Sequence, residues 1–485
     1  MLNNTSLKTI AVKGAFWGMF SNIFVSAVSF LGTAILARMI EPEDFGLVGM
    51  SSLIYGVVAL FRNLGLGQAL IQKKDADQLY WSTAYWANVF VGIFLAIVTV
   101  FAAPLFANFF KEPRLVWVVR CCSIEFIIIA LYSTHTTVLS KEIKMKLNAK
   151  IEVGTRIIRI VVILTCAAFG LKYWSIIIGV LTERVLRAIA FNVFVDWNPK
   201  FVFCKKRFSE LFKFSKHLYG QNFLNYFNQN MDFIVTGKVL GAQMLGFYQF
   251  SYNLPHLVRQ YIFDGVTPIS YPVFCKVNDD LDVLASGYLR IVKLISIITF
   301  PILFGLSFCA KDFIIVVYGQ KWLMAIEPLK LLCFSAAIAS VHSIVNSLFN
   351  SLGRPDIGFK WNLVKLPMTI GFIYLFSRFW GLVGVAFAMF MVEMISVIQV
   401  YLAIKLLKTK MSRYYFSLLP ATICSILMIL VVGLLHYFVL LDPDWYFLRL
   451  LFSFVVGAGA YFVFLRQWYR SDLNYLIDTI KHVKK

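Results

Sequence analysis

Fourteen apolar stretches constrain what this chain can fold into more than any other feature of its sequence. A helix that crosses a bilayer needs roughly 20 apolar residues, because backbone amides in hydrocarbon must be satisfied internally. The stretches lie at 16–37, 45–66, 82–106, 115–138, 151–171, 174–195, 214–236, 245–272, 288–309, 327–350, 359–379, 381–405, 414–439 and 447–466. With 60% hydrophobic and 15% charged residues, the chain has too little polar surface to coat a water-soluble globule. The sequence therefore predicts an all-α integral membrane protein with about 14 transmembrane helices.

The distribution of lysine and arginine predicts how these helices are oriented. Basic loops stay cytoplasmic. Alternate connections are rich in Lys and Arg, as in the segment 141–150, while the opposite connections hold only scattered cations. Both termini are then cytoplasmic, which requires an even number of spans. The net charge of +21 is spread over short loops, so it favours contact with anionic membrane lipids and does not favour binding of nucleic acid.

An internal repeat relates the two halves of the chain. The turn after the first predicted span contains Phe45-Gly46-Leu47, and the turn after the seventh contains Leu245-Gly246-Phe247 at an offset of 200 residues. Six helices separate the matched turns, so both halves have the same orientation. Transporters are commonly built from two such related bundles. The repeat predicts two pseudo-symmetric six-helix bundles, residues 1–200 and 201–410, followed by two extra helices and a tail, residues 411–485.

The two repeated turns also carry a family resemblance. Residues 34–48 read Ala-Ile-Leu-Ala-Arg-Met-Ile-Glu-Pro-Glu-Asp-Phe-Gly-Leu-Val, and residues 245–255 read Leu-Gly-Phe-Tyr-Gln-Phe-Ser-Tyr-Asn-Leu-Pro. Together with the helix count and the repeat, they resemble the polysaccharide transporter family of the multidrug/oligosaccharidyl-lipid/polysaccharide exporter superfamily. That family includes O-antigen and exopolysaccharide flippases.

The resemblance implies a function as well as a fold. It implies a V-shaped pair of bundles in the bacterial inner membrane that opens alternately to each side. The implied substrate is an oligosaccharide repeat unit linked to undecaprenyl pyrophosphate, moved from the cytoplasmic to the outer leaflet for exopolysaccharide or lipopolysaccharide biosynthesis. The polysaccharide polymerase machinery is the further partner it suggests.

Polar residues recur along one face of the seventh predicted span and again along the eighth. Such groups are expensive in lipid, so each is a functional candidate. Intervals of three or four place them on one helical face. The side chains could bond sugar hydroxyls in a wet cavity, or they could hold helices together. The substrate-cavity candidates on these spans are His217, Gln221, Asn225, Asn228, Asn253 and His256.

Basic residues within the predicted spans bear on the charge of the substrate. Pyrophosphate concentrates negative charge, and an arginine fork matches it through paired hydrogen bonds. The alternative is that these side chains snorkel to the cytoplasmic interface. Glu183 is expected to neutralise one of its neighbours. The cationic candidates are Arg156, Arg159, Arg184, Arg187, Arg259 and Lys365.

Three carboxylates in predicted spans are candidates for ion coupling. Asp232, Asp264 and Glu393 are expected to be buried and to take up a proton or a sodium ion, whose gradient would drive transport. The sequence gives no basis for ranking these three carboxylates as coupling sites. No other cofactor and no metal site are expected, because the cysteines and histidines lack metal-ligand spacing.

Two other functions remain as alternatives. A cation-coupled multidrug antiporter of the same superfamily would need an acidic cavity, whereas basic positions outnumber acidic ones in the predicted spans. A membrane glycan polymerase or ligase would need a large extracytoplasmic loop with catalytic residues, and the predicted loops are short. Because the G-x-x-x-x-G-K-[ST], H-E-x-x-H and G-x-S-x-G signatures are also missing, the sequence predicts a transporter and not an enzyme.

Overall fold

The computed structural model describes residues 4–62, 65–73, 75–215, 219–438 and 445–469. All regular elements in these ranges are helical. They are α1 (Asn4–Met39), α2 (Pro42–Arg62), α3 (Leu66–Gln72), α4 (Gln78–Phe110), α5 (Leu115–Lys141), α6 (Met145–Ala168), α7 (Tyr173–Phe194), α8 (Lys205–Ser215), α9 (Tyr219–Lys276), α10 (Leu281–Phe308), α11 (Ala310–Val317), a 3-10 helix (Gln320–Ala325), α12 (Ile326–His342), α13 (Val345–Ser351), α14 (Pro355–Ile395), α15 (Val397–Leu406), α16 (Met411–Phe438) and α17 (Tyr446–Trp468).

Local sequence explains where several of these helices begin and break. Asp77 caps α4 by accepting a hydrogen bond from the Tyr80 amide at 3.0 Å, and Asp280 caps α10 in the same way. Gly241 at φ 84° interrupts α9, and Gly381 at φ 54° interrupts α14. These left-handed conformations suit glycine. Each break divides one long helix into the two consecutive spans that the sequence predicts there.

Eight helical segments among the described residues are long and apolar enough to cross a membrane. One of them runs through Pro355–Leu406 and contains two predicted spans. The five other predicted spans fall on α1, α6, α7 and the two parts of α9. Of these helices, α6, α7 and α9 carry the charged and polar candidates, which lower their mean hydropathy. The total of fourteen spans therefore remains a prediction.

By compactness the chain divides into two units, residues 1–246 and 247–485. In the first unit α4 packs against α5, α5 against α7, α6 against α7, and α1 against α6. In the second unit α10 packs against α12 and α16, and α12 packs against α14. The C-terminal helix α17 packs on α16 and α11, where Arg449 pairs with Asp312 at 3.1 Å. The division predicted from the repeat, at residues 200 and 410, stays a prediction.

The two turns of the internal repeat meet each other within the first unit. A Cβ on Gly46 would lie 1.7 Å from the carbonyl oxygen of Ala242, and a Cβ on Gly246 would lie 1.9 Å from that of Pro42. Both contacts join positions that match at the 200-residue offset. The glycines thus allow two backbones to approach through a reciprocal, pseudo-symmetric contact.

Candidate functional site

The first candidate site is a cluster of charged side chains on α5, α6 and α7, which we call the arginine network. Its four arginines lie three residues apart in pairs, so each pair shares one face of its helix. Because α6 and α7 pack side by side, the two pairs come together. The members of the network are Arg156, Arg159, Arg184 and Arg187 with Glu125, Glu152 and Glu183.

Glu183 is the centre of this network. It is 1% exposed, and its carboxylate lies 2.8 Å from the Arg187 guanidinium, 3.0 Å from that of Arg159 and 3.6 Å from that of Arg156. A carboxylate this deeply buried is tolerated only when it is paired. The sequence predicted that Glu183 would neutralise one neighbouring arginine. It contacts three, two of which come from the other helix.

The remaining pairs of the network involve Glu125 and Glu152. The Arg184 guanidinium donates to the buried Glu125 carboxylate on α5 at 3.0 Å. Arg187 also lies 3.5 Å from Glu152 and donates to the Thr155 hydroxyl at 3.3 Å. Neither Glu125 nor Glu152 was predicted as a site residue. An acidic residue inside the apolar run 115–138 was the available signal for Glu125.

The charges of the network do not cancel. Four guanidinium groups share three carboxylates, which leaves one positive charge in excess. The arginine side chains keep between 14% and 24% of their surface exposed, whereas Glu183 is closed off. Each of the four arginines therefore keeps part of its side chain exposed, while Glu183 and Glu125 are buried.

A second charged cluster lies in the second unit, on α12 and α14. The Lys365 ammonium is 2.8 Å from the Glu393 carboxylate, which is buried. The buried His342 ring approaches the other oxygen of Glu393, with Nδ1 at 4.0 Å. Arg259 of α9 acts on Glu393 electrostatically. The structure thus brings together Arg259, Lys365 and Glu393, which the sequence predicted separately.

The polar face of the seventh predicted span is only partly within the described residues. His217 lies outside them, and so does the side chain of Gln221. Asn225 and Asn228 are half-buried, and the Asn228 amide donates to the Leu224 carbonyl at 3.0 Å. Asp232 is buried at 2% exposure. The role of Asn225 and Asn228 as sugar ligands and the role of Asp232 in ion coupling remain predictions.

The eighth predicted span exposes part of its polar face. Asn253 is exposed, and the half-buried His256 stacks on Tyr252 with ring centroids 5.1 Å apart. Asp264 was expected to be buried, but it is exposed, which corrects that expectation. The reason is its place on α9, where intervals of four and seven residues put it on the same exposed face as Gln260 and Asn253.

Residues 35–327, more than half of the chain, match the family described as polysaccharide biosynthesis protein. The chain belongs to this family. The resemblance seen in the repeated turns is confirmed by that match. Among the described residues of this polysaccharide biosynthesis protein, no three His, Cys, Asp or Glu side chains lie together where they could hold a metal ion.

The matches to two relatives cover most of the length of this chain. It is 26% identical over 402 residues to the lipopolysaccharide biosynthesis protein WzxC of Escherichia coli (strain K12), a match covering 82% of this chain and 81% of WzxC. It is 22% identical over 481 residues to the succinoglycan biosynthesis transport protein ExoT of Rhizobium meliloti (strain 1021), covering 99% of this chain and 97% of ExoT.

Among solved structures, the lipid II flippase MurJ in its inward closed conformation is similar to this polysaccharide biosynthesis protein. The TM-score is 0.76 at 16% identity, and the match covers 95% of this chain and 99% of MurJ. At that identity the likeness concerns the fold. It confirms the predicted fold class, an all-α integral membrane protein.

Proposed function

We propose that this protein is a flippase that moves an oligosaccharide linked to undecaprenyl pyrophosphate from the cytoplasmic to the outer leaflet by alternating access. The product would serve exopolysaccharide or lipopolysaccharide biosynthesis. Membership of the polysaccharide biosynthesis family supports this, as do relatives named for lipopolysaccharide biosynthesis and succinoglycan transport and a MurJ-like fold. The protein acts as a transporter, not as an enzyme, in the bacterial inner membrane with both termini cytoplasmic.

The observation that carries the proposal is the positive excess of the arginine network. A charged group within membrane helices is expensive and is retained where it has a task. Guanidinium forks match the oxygens of a phosphate through paired, charge-assisted hydrogen bonds. A lipid-linked pyrophosphate brings concentrated negative charge to the membrane interior. The network supplies the complementary charge at helices α5, α6 and α7.

The carboxylates of the network hold its arginines in the absence of substrate. An arginine without a partner in this setting would carry a large desolvation penalty, so Glu183 and Glu125 keep the guanidinium groups ordered. When the pyrophosphate arrives, its oxygens take over hydrogen bonds from these carboxylates. Arg184 and Arg187, the α7 pair, are the residues we assign to this exchange. The amides of Asn225, Asn228 and Asn253 would bond the sugar hydroxyls.

The energy for the cycle comes from an ion gradient in this proposal. Asp232 and Glu393 are buried carboxylates in membrane helices, and Asp264 is an exposed one. A proton or a sodium ion is the coupling ion. Membrane lipids surround the protein, and the polysaccharide polymerase machinery would receive its product.

Removing single arginines tests the proposal. Arg184→Ala and Arg259→Ala should each reduce glycan export by about tenfold to a hundredfold at equal protein levels, since a hydrogen bond to a charged group contributes about 1.5 to 3 kcal/mol. The measurement is surface polysaccharide in cells whose own copy is deleted.

A matched control is available on the surface. Arg354 is exposed and pairs with Asp356 at 3.0 Å, the same distance as Arg184 to Glu125. Arg354→Ala should leave export unchanged. If Arg184→Ala and Arg259→Ala both export glycan like the wild type, neither arginine is needed for export and the proposal is wrong.

A further inference from the structure

Two membrane helices of the second unit are interrupted beside the same charged cluster. The α12 helix ends at His342, and α13 begins at Val345. The α14 helix ends at Ile395, two residues beyond Glu393, and α15 begins at Val397. Ser343, Ile344 and Ser396 keep right-handed helical dihedral angles, so both helices bend at these points without unwinding. Sharp bends in membrane helices commonly mark functional sites.

The cluster at these breaks holds one carboxylate among basic groups. Glu393 Oε1 pairs with Lys365 Nζ at 2.8 Å, and Glu393 Oε2 lies 4.0 Å from His342 Nδ1. His342 is 8% exposed, and its Nδ1 makes no hydrogen bond within the described ranges. A buried imidazole nitrogen without a partner, beside a carboxylate, has room for one more proton.

We infer that His342 and Glu393 together form the proton-binding site that couples transport to a pH gradient. This rests on the proposed function and names its coupling ion. The charged groups that act on the pair are Lys365 and, from α9, Arg259. A sodium ion would need several oxygen ligands, whereas the pair offers one carboxylate that already binds Lys365. A proton needs only the nitrogen of His342.

The proton changes how Glu393 shares its charge. A hydronium ion on the external side transfers its proton to His342 Nδ1, so one N–H bond forms, one O–H bond of the hydronium breaks, and a water molecule leaves. The imidazolium at the C-terminus of α12 is favoured by the helix dipole and draws Glu393 toward it. The Glu393 carboxylate then interacts less strongly with Lys365, and the Lys365 ammonium becomes available to an anionic substrate. Release of the proton on the other side restores the Lys365–Glu393 pair.

The experiment uses the purified full chain in sealed vesicles with a lipid-linked oligosaccharide as the probe. The wild type should flip faster when an inward proton gradient is imposed, and His342→Gln and Glu393→Gln should flip at the same rate with and without the gradient. Glu327→Gln is the matched control, because Glu327 forms an exposed pair with Lys330 at 2.7 Å. It should respond to the gradient as the wild type does. A wild-type response in both His342→Gln and Glu393→Gln would overturn the inference.

A second measurement does not depend on flipping. In the NMR spectrum of histidine-labelled protein, the signal that His342→Gln removes should titrate with pH, and Glu393→Gln should shift that titration while Glu327→Gln should not. His342→Gln leaves the Lys365–Glu393 pair intact, so we expect this variant to fold and the test to remain interpretable. A His342 signal that does not titrate overturns the proton site. A titrating His342 in a protein that flips no lipid would instead contradict only the proposed function.

Discussion

Glu183 is the residue on which the arginine network depends most. Its carboxylate is closed to solvent and serves three guanidinium groups from two helices. Burying an ion pair contributes little net stability, but removing one partner leaves charges without compensation. The neighbouring Glu152 differs, since it is 32% exposed and makes one contact at 3.5 Å.

This contrast predicts different effects for two similar substitutions. Glu183→Ala should destabilise the protein by about 3 to 5 kcal/mol, because it leaves three half-buried arginines without their shared carboxylate. Glu152→Ala should cost less, about 1 kcal/mol, because Glu152 is more exposed and Arg187 keeps its closer contact with Glu183. Thermal unfolding in detergent compares the two variants. Equal losses of thermal stability would show that Glu183 is not the centre of the network.

The same residues show what spacing can predict. Arg184 and Arg187 were identified as site residues because a charge inside an apolar span stands out in the sequence. Glu125 was missed as their counterpart, although it is also a charge in an apolar run. Intervals along one helix define a face of that helix, but they do not say which residue of another helix meets it. That information appears only when α5, α6 and α7 pack.

At the scale of elements, the repeated turns are the feature with the clearest steric consequence. Gly46 and Gly246 each face the backbone of the other turn at a distance that leaves no room for a side chain. A backbone carbonyl cannot move aside as a flexible side chain can. Gly154 of α6, by contrast, has nothing within 4 Å of the position of a Cβ.

We therefore expect Gly46→Ala and Gly246→Ala to reduce the amount of folded protein strongly, while Gly154→Ala keeps it or raises it slightly, because alanine favours a helix by about 1 kcal/mol over glycine. The measurement is the yield of monodisperse protein at equal expression. Normal yield of both Gly46→Ala and Gly246→Ala would mean that the two turns do not touch.

The amphipathic helix α8 is a second element whose docking can be tested, since it packs on α3 and α4 with Leu211 buried and with charged contacts beside it. The Glu210 carboxylate accepts a hydrogen bond from the Tyr80 hydroxyl at 2.5 Å and pairs with Lys73 at 3.0 Å. Arg207 also contacts the Tyr80 hydroxyl. The Tyr80 hydroxyl and the Lys73 ammonium lower the pKa of Glu210 to about 2. The contacts that lower this pKa stabilise the docked helix fully at a pH above the ordinary pKa of glutamate. The stabilisation decreases as the pH falls from that value toward 2.

Hydrogen exchange of α8, corrected for the intrinsic rate at each pH, checks this docking. Protection in the wild type should stay constant between pH 7 and about 4.5, the ordinary pKa of glutamate, because Glu210 remains ionised there. Glu210→Gln should lower the protection throughout that range, and Glu327→Gln should not. Unchanged protection in Glu210→Gln would mean that other contacts hold α8.

At the scale of the whole molecule, hydropathy predicted the class of fold and the approximate positions of the helices. Hydropathy is less informative on α6, α7 and α9, because the charged and polar candidate residues lower the mean hydropathy of these helices. The breaks at His342 and Ile395 were not predicted, because short interruptions between apolar residues leave the hydropathy unchanged. Asp264 was misjudged for a related reason, since membership of a span does not decide which side of a helix is buried.

The central claim is that the arginine network recognises the pyrophosphate of a lipid-linked glycan. It is tested most directly by flipping in sealed vesicles with two probes that carry the same oligosaccharide and lipid, one joined by pyrophosphate and the other by an uncharged linker. We predict that the protein accelerates flipping of the pyrophosphate-linked probe and that Arg184→Ala removes most of this acceleration, while the uncharged probe crosses no faster than in empty vesicles. Equal acceleration of both probes, unaffected by Arg184→Ala, would contradict the claim.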